Sequence, residues 1–111
     1  MPVPPGRDDA ATAVVTPRGR LDITSSGGFA EQVQQLIDRG ARWIVVDLDL
    51  VTFMDSAGVG SILRSLKRAR EHDGELRIAR PPRQALMVLE RTALTRVLHP
   101  YPTVEEALAT G

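Results

Sequence analysis

No cysteine occurs anywhere in the 111 residues, which excludes disulfide scaffolds, thiolate metal sites and cysteine nucleophiles. Aromatic residues are scarce. One tryptophan, one tyrosine and two phenylalanines are too few for a base-stacking platform. An excess of either charge sign is missing as well: fourteen basic residues balance fourteen acidic ones, which argues against a direct nucleic-acid or membrane-surface role, where a basic excess is the rule. No apolar run approaches the roughly 20 residues of a membrane helix, and the N-terminus carries no signal-peptide core. What is present, 42% hydrophobic and 25% charged residues, is the mix of a globular chain one domain long. The expectation is a small cytoplasmic domain.

Residues 1–11 hold Pro2, Pro4, Pro5 and Gly6 beside the charged run Arg7-Asp8-Asp9 and read as a flexible lead, leaving 12–110 for the folded domain. Thr12 to Thr16 carries the first strand signal, and Pro17 after it places that strand at a sheet edge or ends it. A turn at Arg18-Gly19 leads to Arg20, Leu21, Asp22 and Ile23. Phe29, Val33, Leu36 and Ile37 recur at helical spacing, with Gly40 as the stop. Trp43 to Leu48 is an almost unbroken apolar run, as expected of a strand covered on both faces. After Phe53, Asp55-Ser56-Ala57-Gly58 opens a second helix whose buried stripe is Val59, Ile62, Leu63, Leu66 and Ala69. Asp73-Gly74 is a turn, Leu76 to Ala79 a short strand, and Pro81-Pro82 precedes a third helix over 83–91. A short extended piece near Val97-Leu98 follows, and Thr103-Val104-Glu105-Glu106 is a capping box opening a last helix. Strands alternating with helices predict an α/β domain: a mixed, mostly parallel sheet of four to five strands packed with about four helices.

The densest polar cluster, Asp47, Asp49, Asp55 and Ser56, falls beyond the carboxyl end of the central strand, where open α/β sheets form their sites. Two readings of Asp55-Ser56 stand side by side. Both residues suit an ordinary helix N-cap. Less commonly for such a pair, Ser56 in the first helical turn faces unpaired N–H groups and the positive end of the helix dipole, so a phosphate there is tolerated while it brings roughly −1.5 to −2 of charge. Asp47-Leu48-Asp49 resembles the nucleophile motif of haloacid-dehalogenase-like phosphatases. That chemistry also needs a lysine after a later strand, and the sole lysine, Lys67, lies inside a helix. Gly58-Val59-Gly60 lacks the third glycine of a dinucleotide loop. His72 and His99 are isolated, without ligand spacing for a metal.

Gly19-Arg20-Leu21-Asp22, Ile44-Val45-Val46-Asp47-Leu48, Val51-Thr52-Phe53-Met54-Asp55-Ser56-Ala57-Gly58-Val59-Gly60 and Glu105-Glu106-Ala107-Leu108, in this order, resemble the STAS domain, and more narrowly the bacterial anti-sigma factor antagonists. The chain departs from that pattern at its Pro-rich start, at Pro17 and at Gly27-Gly28. The resemblance implies a single STAS-like domain acting as a monomeric partner switch. Unmodified, such a protein binds an anti-sigma factor that is also a serine kinase, and a sigma factor is freed. The kinase phosphorylates the motif serine, here Ser56, and a PP2C-type phosphatase resets it. It implies no catalytic residue and no cofactor in this chain. Asp22 matches the family's Leu-Asp block and is expected, with Asp55, on the partner surface. The helix that follows Asp55 adds Ala57, Ser61 and Arg64, which are expected to point away from its buried stripe, with Gly58 and Gly60 keeping the approach open. An alternative role within the same fold is a structural adaptor in a stress-signalling or lipid-transport assembly.

Overall fold

A computed structural model describes residues 11–109. The expected flexible lead therefore lies, apart from Ala11, outside the described residues. Five strands, β1 (Thr12–Val15), β2 (Gly19–Leu21), β3 (Trp43–Asp47), β4 (Val51–Met54) and β5 (Glu75–Ala79), alternate with four helices, α1 (Ser26–Asp38), α2 (Ser56–Glu71), α3 (Arg83–Arg91) and α4 (Val104–Ala109). The α/β class stands. Every named strand pair is parallel, and the strands divide into two sheets, one ordered β1-β3-β5 and one pairing β2 with β4.

The unbroken apolar run at β3 is explained by cover on both sides. Ile44, Val46 and Leu48 belong to the main core, with Val33 and Ile37 of α1 and Ile62 and Leu66 of α2. Val45 points the other way, into a second small cluster with Ala79 and Ala107 of α4. Alternation along the strand thus feeds two cores. β1 pairs with β3 alone, so the strand before Pro17 is an edge. Gly40 ends the α1 region at φ 105, a conformation that a residue with a Cβ rarely adopts.

Two segments differ from the sequence expectation. Beyond Leu48 the chain turns, with Val51 N–H donating to Leu48 O at 3.0 Å, and starts the separate strand β4, which the apolar run before it concealed. The expected extended piece at Val97-Leu98 is not a strand: a 3₁₀ turn over Leu94–Arg96 leads into it, and the parallel bridge to Ala79 is made by Tyr101. The capping box at α4 forms on the expected side, with Glu106 N–H donating to Thr103 Oγ1 at 3.0 Å.

Candidate functional site

β2 and β4 lie side by side and end together, delivering the chain into α1 and α2. Asp55 N–H donates to Leu21 O at 3.4 Å, which ties the two exits. Asp55 remains extended (φ −124, ψ −172), and its Oδ1 accepts from Ala57 N–H at 2.9 Å and Gly58 N–H at 3.1 Å. Asp55 is therefore the N-cap, satisfying two of the donors that a helix start leaves unpaired. Ser56 is the first helical residue, exposed, and its hydroxyl makes no hydrogen bond among the described residues. The two roles that the sequence left open for this pair are divided between them: Asp55 closes the helix, and Ser56 is idle in the fold.

Across from it, the loop after β2 is held by Asp22. Its carboxylate accepts from Thr24 Oγ1 at 2.6 Å and Thr24 N–H at 3.0 Å, and pairs with Arg20 Nε at 2.9 Å. The Thr24 hydroxyl first, then Arg20, draws its pKa from 3.8 down to about 2. Ser25 Oγ donates to Arg20 O at 2.6 Å and accepts from Asp22 N–H at 3.0 Å. The loop is thus rigid and its anion fixed. At its tip Ile23 is 79% exposed, and the Arg20 guanidinium lies 4.3 Å from the centre of the Phe53 ring, a cation–π stack.

Of the residues expected on the partner surface, Asp55, Ala57 and Gly60 are half-buried and Arg64 is exposed. With Ser56, residues 60 and 64 follow one another at four-residue spacing along one helix face. Arg64 folds back toward the start of α2: its Nη1 lies 3.5 Å from where a Cβ on Gly60 would stand. Three of the expected residues are buried instead: Asp22, 8% exposed and turned into its own loop, and two residues of α2. Ser61 is fully buried and its hydroxyl donates to Gly58 O at 2.7 Å. α2 packs against α1 as well as the sheet, so its buried arc is wider than the apolar stripe, and a serine that satisfies its hydroxyl locally fits within it. Gly58 is also buried. A Cβ there would overlap the Leu21 carbonyl, so this glycine lets α2 meet the end of β2 rather than opening the surface to a partner.

The other acidic motif is differently placed. Asp47 is buried at the end of β3, where Arg80 grips both of its oxygens, Nε to Oδ1 at 3.1 Å and Nη2 to Oδ2 at 2.6 Å, while Asp49 N–H donates to Oδ1 at 3.2 Å. Arg80 hydrogen bonding, against the cost of burial, lowers the Asp47 pKa and raises that of Arg80. A carboxylate with both oxygens engaged by a guanidinium fork is a structural anchor rather than an exposed nucleophile. Asp49 stays exposed, 3.6 Å from Arg80 Nη1. Among the described residues no group of three or more His, Cys, Asp or Glu side chains is arranged to hold a metal ion, and no helix is long and apolar enough to cross a membrane.

Sequence reasoning missed Ile23, the Arg20–Phe53 stack and Gln84. Ile23 had a signal, an apolar residue stranded in a polar loop with no periodic partner. Gln84 of α3 had none: its side-chain amide accepts from Met54 N–H and donates to Met54 O, both at 2.8 Å, thirty residues away.

Residues 2–107 match the sequence pattern of the STAS domain. The chain is 31% identical, over 81 residues covering 73% of it and 75% of the relative, to a Staphylococcus aureus protein named anti-sigma-B factor antagonist. A Thermotoga maritima protein described as a candidate anti-sigma factor antagonist superposes with a TM-score of 0.78 at 27% identity, over 85% of this chain and 81% of that one. The Bacillus cell fate determinant SpoIIAA in its phosphorylated form shares the fold at 23% identity, TM-score 0.67, over 88% of each chain.

Proposed function

The chain belongs to the STAS domain family, and from that premise we propose that it is an anti-sigma factor antagonist that docks its partner at the paired exits of β2 and β4. The unmodified form binds an anti-sigma factor, which thereby releases a sigma factor. That partner is also a serine kinase: it moves the γ-phosphoryl group of its ATP onto Ser56 Oγ, and ADP leaves. The modified form dissociates, and a PP2C-type phosphatase hydrolyses the phosphate to restore Ser56. ATP and metal work on the partners' side, and this chain, a cytoplasmic monomer on this reading, catalyses nothing.

The carrying observation is that Ser56 is exposed and without a hydrogen bond among the described residues, while Asp55 alone caps α2. Modification can proceed without loosening the helix. The added dianion, roughly −1.5 to −2 at neutral pH, would stand beside the Asp55 carboxylate on a surface that carries Ile23 as its apolar contact. Truncating one member of a buried charged pair at an interface costs about 2–5 kcal/mol, and each 1.4 kcal/mol or so is tenfold in affinity. A desolvated phosphate of that order is sufficient for a switch. The name of the Staphylococcus aureus relative supports the reading, as does the phosphorylated form of the Bacillus neighbour that shares the fold.

The test is capture from the native cell lysate by the wild type, Ser56→Ala and Ser56→Asp, with bound proteins identified by mass spectrometry. The expected result is an ATP-binding serine kinase held by the wild type and Ser56→Ala and lost from Ser56→Asp. The same scaffold or transporter proteins on all three, with no kinase, would replace the switch by the adaptor role.

A further inference from the structure

Between α1 and α2 runs a cleft of about 240 Å³. Its floor is Val33, fully buried, and Ser65, 2% exposed; its rim is Glu31 and Gln34 from α1 and Arg64 and Arg68 from α2. Ser65 Oγ is buried and has no hydrogen-bond partner among the described residues. Helix packing at this position asks only for a small side chain, which alanine would supply, so the hydroxyl is not explained by the α1–α2 contact. A buried polar group left unpaired is unfavourable, and such a group in a native fold points to an occupant that completes it. The Arg64 and Arg68 guanidiniums form no ion pair or hydrogen bond among the described residues, and their combined charge exceeds that of the one facing carboxylate, Glu31. Both are exposed, so their guanidiniums are free to turn inward.

We propose that this cleft is a binding site for a small oxyanion with a short apolar body: the anion held by Arg64 and Arg68, with the Ser65 hydroxyl swung to donate to it, and the apolar part resting on the half-buried Ala30. The volume lies below the roughly 300–1,000 Å³ of drug-sized pockets, which limits the occupant to a small molecule. Guanidiniums accept carboxylates and phosphates alike, so the shared chemistry is the oxyanion and the two sources are separated by experiment. The site does not require that Ser56 be modified.

The test is titration of the 15N-labelled full chain with hexanoate, hexyl phosphate and, as the uncharged control, hexanol, followed by amide chemical shifts. Saturable shifts centred on residues 30–34 and 64–68 are expected with at least one of the anions, and which one responds names the source. The Arg64→Gln/Arg68→Gln double variant should weaken that binding at least tenfold. Ser65→Ala should weaken it severalfold while leaving the Tm unchanged or higher, since an unpaired hydroxyl is removed. Equal response to hexanol, unaltered binding in the double variant, shifts centred elsewhere, or no saturable shift with either anion would overturn the site.

Discussion

At the ends of two strands consecutive in the chain but in different sheets, the sequence places aspartates that look interchangeable. Asp47 follows the apolar run of β3 and Asp55 follows β4. The first is buried and closed by Arg80, thirty-three residues away; the second turns its carboxylate onto the backbone of its own helix and leaves the next side chain free. The difference lies in what faces each carboxylate. A cation just past the end of another strand converts a surface acid into an anchor, whereas local N–H groups satisfy an acid without covering its neighbours. An Asp-x-Asp pattern therefore says little about chemistry until its partner is known, and the serine beside the less conspicuous aspartate is the accessible group.

The comparison can be broken most forcefully at the joint between the two exits. Gly58→Ala forces a Cβ into the Leu21 carbonyl, and overpacking against backbone should cost about 3 kcal/mol, a fall of roughly 10–20 °C in Tm. Gly60→Ala meets only the mobile end of Arg64 and should raise stability by up to about 1 kcal/mol through helix propensity. Calorimetry of the pair checks both signs. If Gly58→Ala were neutral, the close approach of α2 to β2 would be refuted.

A smaller loss is expected at the closed aspartate. Removing Arg80 strands a buried carboxylate, a loss moderated because the Arg80 side chain is itself 43% exposed, and Arg80→Ala should lower the Tm by roughly 8–14 °C at pH 7. Asp47 and Asp22 both have folded pKa values below their unfolded ones. The stability they contribute is thus fully present above the ordinary carboxylate pKa of about 4 and is lost as pH falls through the folded values, for Asp22 down to about 2. Tm measured from pH 6 to pH 2 should decline along this course in the wild type and more shallowly in Asp47→Asn. An identical slope in the two proteins would remove Asp47 from the acid response.

At the open aspartate the effects are smaller still and divide the two adjacent residues. Asp55→Ala removes the cap and should cost about 1 kcal/mol. Ser56→Ala and Ser56→Asp should each stay within about 0.5 kcal/mol of the wild type by denaturant titration, because the serine hydroxyl holds nothing in the fold. A loss at Ser56 equal to that at Asp55 would merge the two roles again.

Much of this was legible in the chain. The alternating elements, the two-sided cover of β3, the start of α2 at Ser56 and the stop at Gly40 follow from local patterns of apolar spacing and backbone freedom. What escaped is non-local. Arg80 and Gln84 reach thirty or more residues back, and no periodicity records such a meeting. Ser61 was misplaced because a helical wheel drawn from apolar residues takes a serine for surface, whereas α2 touches two neighbours and buries small polar residues between them. β4 was hidden because the turn at Asp47–Leu50 has no glycine or proline to announce it.

Gln84 has one more effect. By offering an amide N–H and C=O to Met54, its side chain imitates one residue of an adjoining strand on the side of β4 opposite β2. That flank of the sheet is consequently satisfied at Met54, next to Asp55 and Ser56. A segment from another molecule seeking to add itself there finds both backbone groups occupied, so this corner of the sheet is guarded against pairing with copies of the same chain.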